Sequence, residues 1–323
     1  MENKKILITG GAGFIGSHIV EYFLTRTPVK EVRVLDNLST GKMKNLEPFL
    51  KTFPDKLKFT KGDLRHRETI KELVNGVDMI CHQAALGSVP RSFKNPVATF
   101  NSNMIGMTNL LHEANKAGVK RFVYASSSSV YGTDYHNPKV ENHIGTPLSP
   151  YALSKLSNEM IANIYHKEYK MECIGLRYFN IFGPRQDPNG PYSAVIPKFI
   201  NQCLSGKRCV INGNGKISRD FTFVDNAVSA NYLALTTEDD RAFGKAYNVA
   251  CGDSYDINTI YYTIAKRLKY NKDPKYGAER PGDVKFSKGN ISLADAYLGY
   301  KPLVSFYDGI GKTIEYYKKE SSM

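Results

Sequence analysis

Short apolar runs alternate with segments of helical spacing along the first half of the chain. The runs occupy residues 5–9, 32–36, 57–60, 79–82, 121–125 and 171–178, and helical spacing lies between them, first at 14–24. Strands of a parallel sheet that helices cover on both faces are almost continuously apolar. The pattern therefore predicts an α/β protein with a doubly wound parallel sheet.

The rhythm changes after about residue 180. Turn-forming residues cluster at 183–184, 187–191 and 212–215, and helical spacing returns at 292–298 and 308–319. We expect a first domain over 1–180, with a return of the chain near 221–250. A smaller α/β lobe at the C-terminus is expected to consist mainly of 181–323.

Composition is that of an ordinary globular protein. A length of 323 residues allows about two structural units, and 41% of the residues are hydrophobic. The 21 Tyr and 16 Phe exclude a mainly disordered chain. No run reaches the roughly 18 apolar residues of a membrane span, and the polar N-terminus leads into Ile6 without a signal-peptide core. We therefore expect a cytoplasmic protein with no membrane partner.

The charge balance is basic. Lys and Arg number 44 against 31 Asp and Glu, which gives a formal net charge of +13. Such an excess is compatible with nucleic acid, an anionic membrane surface or a phosphate-bearing substrate, and equally with a lysine-rich surface that has no specific partner.

Cysteine usage indicates neither a disulfide framework nor a metal site. The five cysteines are odd in number and scattered, without a Cys-x-x-Cys pair or metal-ligand spacing to a histidine. Cys81 and Cys173 lie inside apolar runs, where a thiol is usually a small buried hydrophobic group.

A glycine-rich turn directly follows the first predicted strand. Gly10 permits a tight turn, Gly13 lets a phosphate approach the backbone, and Gly16 lets the first helix pack closely on the sheet. The N-terminus of that helix offers N–H groups to a pyrophosphate. Asp36 closes the second strand about 20 residues later, where a carboxylate binds a ribose hydroxyl and repels a 2′-phosphate. The turn predicts a dinucleotide site of Rossmann type that favours NAD over NADP.

A Tyr-x-x-x-Lys pair lies downstream. Tyr151 and Lys155 are four residues apart, so on a helix their side chains share one face. Tyrosine ionises near pH 10, and a neighbouring cation favours the phenolate. We expect Tyr151 to act as a base towards a sugar hydroxyl and Lys155 to hold the nicotinamide ribose.

Together these motifs resemble the extended short-chain dehydrogenases/reductases that act on nucleotide sugars, and the resemblance covers essentially the whole chain. It is carried by the Gly-x-x-Gly-x-x-Gly spacing, by Gly62-Asp63-Leu64 after the third strand and by residues 82–85 after the fourth. The resemblance implies bound NAD, with contacts from Gly10, Gly13, Phe14, Ile15, Gly16, Asp36, Asn37, Ser39, Thr40, Gly41, Asp63, Leu64, Gln83, Ala84, Ala85, Asn103, Ser126, Tyr151, Lys155 and Tyr178.

Serines at 126–129 follow the fifth strand, whose carboxyl end faces the ligand in a doubly wound sheet. By resemblance, Ser127 is the family's catalytic Ser/Thr, and Ser128 is a second candidate for a sugar contact. Relatives that eliminate water resemble Thr-Asp-Glu at this point, and decarboxylating relatives carry a Glu, which supplies a further acid/base step. Residues 127–129 hold no carboxylate, which disfavours a dehydratase.

Segments of the second lobe resemble the family's substrate site. They are residues 177–185, 194–198, 212–221 and 280–284. Arginine suits such a site because its planar group pairs with phosphate through two hydrogen bonds. The resemblance implies substrate contacts from Ser88, Ser92, Ser127, Ser128, Asn180, Ala194, Val195, Lys198, Asn212, Arg219, Arg280, Asp283 and Ser287.

The resemblance is greatest to bacterial UDP-N-acetylglucosamine 4-epimerases of the O-antigen and capsule type. Residues 87–92 and 186–190 carry it, together with Ser287, which stands where UDP-galactose epimerases have a bulky tyrosine. A serine leaves room for an N-acetyl group. The resemblance implies NAD-dependent C4 epimerisation of UDP-GlcNAc and UDP-GalNAc through a 4-keto sugar, in polysaccharide biosynthesis.

Other functions stay open at this point. Arg91 could bind a carboxylate, which allows a UDP-N-acetylhexosaminuronic acid as substrate, and UDP-glucose is a further alternative. The charge allows a non-catalytic NAD- or RNA-binding relative, although such proteins commonly lose the Tyr/Lys pair.

We expect a UDP-sugar and no nucleic acid as partner, and the resemblance implies a homodimer that pairs through helices near 96–116 and 150–169. Most of the positive charge has no assigned partner.

Overall fold

A parallel sheet of seven strands forms the centre of the molecule in the computed structural model, which describes residues 1–189, 194–279 and 286–322. Its strands, numbered with all others in chain order, run β11-β6-β5-β4-β1-β2-β3 across the sheet. They are β1 (Lys5–Thr9), β2 (Glu31–Asp36), β3 (Leu57–Lys61), β4 (Met79–His82), β5 (Arg121–Ser127), β6 (Glu172–Tyr178) and β11 (Lys245–Val249). The predicted doubly wound parallel α/β fold is confirmed.

Helices cover both faces of this sheet. On one face α1 (Phe14–Arg26) packs against α9 (Val224–Thr236), and on the other α6 (Gly106–Lys116) packs against α3 (Arg67–Val74) and α7 (Pro150–Tyr169). The side chains of β1 point alternately into two cores. Ile6 and Ile8 belong to one core and Leu7 to the other, and all three are fully buried. This two-sided burial explains why the strands are apolar without alternation.

The remaining α-helices and strands lie outside the central sheet. The helices are α2 (Glu47–Thr52), α4 (Val89–Lys94), α5 (Pro96–Phe100), α8 (Val195–Leu204), α10 (Ile257–Leu268), α11 (Ser292–Leu298) and α12 (Phe306–Ser321). The strands pair as β7 (Ile181–Phe182) with β10 (Thr222–Phe223), β8 (Val210–Asn212) with β13 (Lys275–Gly277), and β9 (Ser218–Arg219) with both β12 (Tyr255–Asp256) and β14 (Phe286–Ser287).

One local feature differs from the sequence pattern. The helical segment expected at 96–116 is interrupted by a π-helical stretch at Asn101–Ile105, which rotates the helix faces on its two sides relative to each other. The chain returns to the central sheet through β11, which pairs with β6 from Lys245 opposite Ile174 onward. No helix in the described part of the chain is long and apolar enough to cross a membrane.

Candidate active site

A cleft of about 380 Å³ runs along the carboxyl ends of the parallel strands. Segments that follow β1, β2, β3 and β4 line one part of it, and the ends of β5 and β6 line the other. Carboxyl ends of parallel strands meet at one edge of a sheet, which is where doubly wound folds bind ligands. The lining includes most of the predicted cofactor residues: Gly10, Gly13, Phe14, Ile15, Gly16, Asp36, Asn37, Ser39, Thr40, Asp63, Leu64, Gln83, Ala84, Ala85, Ser126, Tyr151, Lys155 and Tyr178.

The glycine turn leaves no room for side chains. Gly10 has a φ of +70°, and a Cβ there would stand 2.7 Å from the backbone nitrogen of Ala84. A Cβ on Gly16 would overlap the carbonyl oxygen of Gly10. Helix α1 begins after Gly13 without a side-chain cap, so its first N–H groups face the cleft. These features fit the pyrophosphate of a dinucleotide.

The β2 and β3 end of the cleft is acidic. Asp36 is buried and accepts hydrogen bonds from the backbone N–H groups of Ala12 (3.0 Å) and Leu38 (2.8 Å). Burial raises the pKa of its carboxyl above the usual value. Asn37 donates to Asp63 (2.8 Å), and the hydrogen bonds from Arg65 lower the pKa of that carboxyl. Carboxylates suit the hydroxyl groups of a ribose and disfavour a 2′-phosphate, so this end of the cleft fits NAD.

A trio of side chains with acid/base chemistry lies at the β5 end of the cleft: Tyr151 and Lys155 line it, and Ser127 contacts Tyr151. Tyr151 and Lys155 are in the first turns of α7, and the Lys155 ammonium lies 6.0 Å from the centre of the Tyr151 ring. Lys155 is buried and donates to the carbonyl of Ala125 (2.7 Å). The hydroxyl of Ser127 is hydrogen-bonded to the phenol of Tyr151. The arrangement can transfer a proton to or from a substrate hydroxyl.

Burial shifts both titratable groups of this trio towards their neutral forms. It lowers the pKa of Lys155 to about 8, with the Glu159 carboxylate opposing the shift. It also raises the pKa of Tyr151 above its ordinary value, and only the hydrogen bond with Ser127 acts the other way. The phenolate that we expected from the sequence is therefore not favoured by the protein alone, because the desolvation of Tyr151 outweighs its neighbours.

A buried ion pair behind the trio was not predicted from the sequence. Glu159 accepts two hydrogen bonds from Arg177, at 2.9 and 2.8 Å, and one from the hydroxyl of Ser126 at 2.5 Å. Both charged side chains are less than 10% exposed. Glu159 lies four residues after Lys155, so the helical spacing that linked Tyr151 to Lys155 would also have indicated it.

A second pocket of about 250 Å³ is lined by residues between Asn180 and Ile257. Six of the predicted substrate residues line it together: Asn180, Ala194, Val195, Lys198, Asn212 and Arg219. Aromatic and aliphatic side chains complete the wall, among them Phe199, Phe221 and Ile257. Tyr178 lines the first cleft and Asn180 the second pocket, so residues 178–180 connect the two. A ligand long enough to reach from the first cleft into the second pocket fits this layout.

Several predicted site residues do not line either cavity. Ser92 is fully buried and its hydroxyl donates to the carbonyl of Val89, whereas Ser88 caps α4 through the N–H of Arg91. Asn103 lies behind the cleft wall, where its amide bonds Leu86 and Ser154. The others without a place in either lining are Gly41, Ser127, Ser128 and Ser287. Arg280 and Asp283 lie outside the described residues.

Comparison with known proteins gives a consistent result. Residues 6–250 match the NAD dependent epimerase/dehydratase family. A UDP-N-acetylglucosamine 4-epimerase of Methanobrevibacter ruminantium M1, solved in complex with UDP-N-acetylmuramic acid, is 38% identical, and the match covers 99% of this chain and 100% of that one with a TM-score of 0.92.

Two further relatives are similar over nearly their whole length. A putative UDP-glucose 4-epimerase of Methanocaldococcus jannaschii is 34% identical over 319 residues, which are 98% of this chain and 99% of the relative. A UDP-glucose 4-epimerase of Thermus thermophilus, solved with NAD, is 33% identical with a TM-score of 0.85, and the match covers 97% and 99% of the two chains.

Proposed function

Because the chain belongs to the NAD-dependent epimerase/dehydratase family, we propose that it inverts C4 of a UDP-N-acetylhexosamine and so interconverts UDP-GlcNAc and UDP-GalNAc. The distribution of carboxylates in the cleft is the observation that supports epimerisation over dehydration. Among the described lining residues of the cleft, the only carboxylates are Asp36 and Asp63, both at the end remote from Tyr151. Elimination of water needs a further acid or base beside the sugar, and epimerisation does not.

Residues of this chain divide the work as follows. Tyr151 takes the proton of the 4-hydroxyl and later returns it, Ser127 hydrogen-bonds the same oxygen, and Lys155 holds a positive charge beside them. When bound, NAD supplies the oxidant and then the reductant at C4, so the reaction has no net redox change. The second pocket, with Arg219 and Lys198, anchors the UDP part while the sugar presents each face in turn.

The proposal also specifies that the substrate carries an N-acetyl group as its 2-substituent. It is supported by Ser287, a small and half-buried side chain in β14 that pairs in register with Arg219 of the second pocket. The likeness to a UDP-N-acetylglucosamine 4-epimerase supports it further.

A uronic acid substrate is the second candidate, because Arg91 lines the cleft. A guanidinium near the sugar would suit a carboxylate at C6.

A panel of UDP-sugars, followed by NMR for inversion at C4, tests the substrate. We expect turnover of UDP-GlcNAc to exceed that of its uronic acid and of UDP-glucose. Ser287→Tyr should lower kcat/KM for UDP-GlcNAc at least about tenfold and leave UDP-glucose almost unchanged, since the added ring fills the space for the 2-substituent. Preferred turnover of the uronic acid would replace the neutral sugar in the proposal, and inversion of none of the three would overturn it.

We further infer a homodimer that pairs through α5, α6 and α7. Large apolar side chains on α5, on the π-helical stretch that leads into α6, and on α7 are 45–66% exposed: Val97, Ile105, Leu153, Met160 and Ile164. Leu153, Met160 and Ile164 recur at helical spacing along one face of α7. An apolar stripe of this kind is typical of a contact between subunits.

Light scattering of the purified protein checks this inference. We expect twice the mass of one chain, and we expect Met160→Glu together with Ile164→Glu to halve the measured mass. Leu303→Glu, at a side chain 70% exposed and remote from these helices, is the matched control and should stay dimeric. A monomeric unsubstituted protein would contradict the inference.

A further inference from the structure

A closed ring of three hydrogen bonds lies beneath the β5–β6 end of the cleft. The hydroxyl of Tyr178 donates to Oε1 of Gln83 (3.0 Å), and Nε2 of Gln83 donates to Oδ1 of Asn231 (3.0 Å). Nδ2 of Asn231 completes the ring by donating to the hydroxyl of Tyr178 (2.6 Å). Each member gives one hydrogen bond and receives one, which allows the three bonds to strengthen one another.

The direction of this ring is fixed from outside it. Nδ2 of Asn231 also donates to the carbonyl of Ala227 (2.7 Å), one turn earlier in α9. A carbonyl only accepts, so the amide of Asn231 must turn its oxygen towards Gln83. Gln83 must then direct its own oxygen to Tyr178, whose hydroxyl has to donate. Burial raises the pKa of Tyr178 well above its ordinary value, so the hydroxyl keeps its proton.

Two members of the ring line the cleft and the third does not. Gln83 follows β4 directly, and Tyr178 ends β6 in register with Ser127, the hydrogen-bond partner of Tyr151. Asn231 is fully buried in α9, a helix whose other buried side chains include Ala227, Val228, Ala230 and Ala234. Burying an amide among such side chains costs free energy unless every polar atom is bonded. The hydrogen bonds to Gln83, Tyr178 and Ala227 give both polar atoms of the Asn231 amide a partner.

We propose that Asn231 is a positioning residue, which holds Gln83 and Tyr178 in the orientation that the nicotinamide end of the cofactor requires. Gln83 follows β4 and Tyr178 ends β6, and within the described residues their side chains are linked through this ring and its contacts to Cys81. A loss of Asn231 removes one hydrogen bond from Gln83 and one from Tyr178, so each side chain is held by fewer contacts. The expected effect on NAD binding follows from membership of the NAD-dependent family, and the expected effect on turnover rests on the proposed function.

The same helix provides a matched control. Asn226 is also a fully buried asparagine of α9, and it bonds the backbone of Leu303 and Val304 at 2.8–2.9 Å. Asn226→Ala therefore removes an equally buried amide from the same helix without touching the cleft. Both alanine variants should unfold at a lower temperature than the unsubstituted protein, because each leaves buried backbone or side-chain groups without a partner.

Only Asn231→Ala should change cofactor binding and catalysis. We expect calorimetry to show NAD bound about tenfold more weakly than in Asn226→Ala. We expect kcat for UDP-GlcNAc to fall roughly 10- to 100-fold with KM nearly unchanged, since the UDP pocket is not involved. Tyr178→Phe opens the ring without altering α9, and it carries the same test if Asn231→Ala does not fold.

A double variant separates a ring from independent contacts. Either single substitution already breaks the ring, so the second one removes few further hydrogen bonds. Asn231→Ala combined with Tyr178→Phe should therefore bind NAD about as weakly as whichever single variant binds it less tightly. Additive losses, or equal NAD affinity in the Asn231 and Asn226 variants, would overturn the inference. A protein that binds NAD with these differences but inverts no UDP-sugar would instead count against the proposed function alone.

Discussion

Replacing Tyr151 with phenylalanine is expected to lower kcat for UDP-sugar inversion by about 10²- to 10⁴-fold. The substitution removes one oxygen, the one that Ser127 hydrogen-bonds and that faces the reacting hydroxyl in the proposed mechanism. The ring is retained, so the packing of α7 and the wall of the cleft stay intact. We therefore expect bound NAD and KM for the UDP-sugar to change little.

A tyrosine on the same helix gives the control for this experiment. Tyr165 lies further along α7 and packs against the core beneath the sheet, away from the cleft. Tyr165→Phe should turn over substrate at the unsubstituted rate. Retention of most activity by Tyr151→Phe would show that another group moves the proton, and it would remove the basis for assigning Tyr151 as acid and base.

The sequence predicted the fold and the cleft because both depend on local patterns. An apolar strand, a glycine turn and a carboxylate at the end of the next strand each lie within a few residues, and the parallel topology brings their ends to one edge. The pairing of Tyr151 with Lys155 follows in the same way from helical spacing.

What the sequence could not predict depends on contacts between distant segments. Asn231 reaches Gln83 across 148 positions of the chain, and no local pattern marks either residue as a partner of the other. Ser92 matched a motif and nevertheless turns inward, because α4 uses its hydroxyl to bond Val89. The shift of the Tyr151 pKa could not be predicted from the sequence either, since its direction depends on how deeply the phenol is buried.

Glu159→Gln is expected to lower the free energy of unfolding by about 3–5 kcal/mol. The glutamine keeps the shape and can still accept from Ser126, but it leaves the Arg177 guanidinium buried without a counter-charge. Chemical denaturation measures the loss. Glu172→Gln is the matched control, because Glu172 pairs with Arg121 between neighbouring strands and is about one third exposed, so its loss should be about 1 kcal/mol or less.

The same substitution should move the pH dependence of catalysis. The Glu159 carboxylate raises the pKa of Lys155 against the effect of burial, which has already lowered it to about 8. Without that negative charge the pKa falls further, so Lys155 loses its proton at a lower pH. The decline of kcat as pH rises should therefore begin at lower pH in Glu159→Gln than in the unsubstituted protein and in Glu172→Gln. An unchanged profile would show that Glu159 stabilises the fold without acting on Lys155, because a purely structural role leaves the titration of the ammonium as it was.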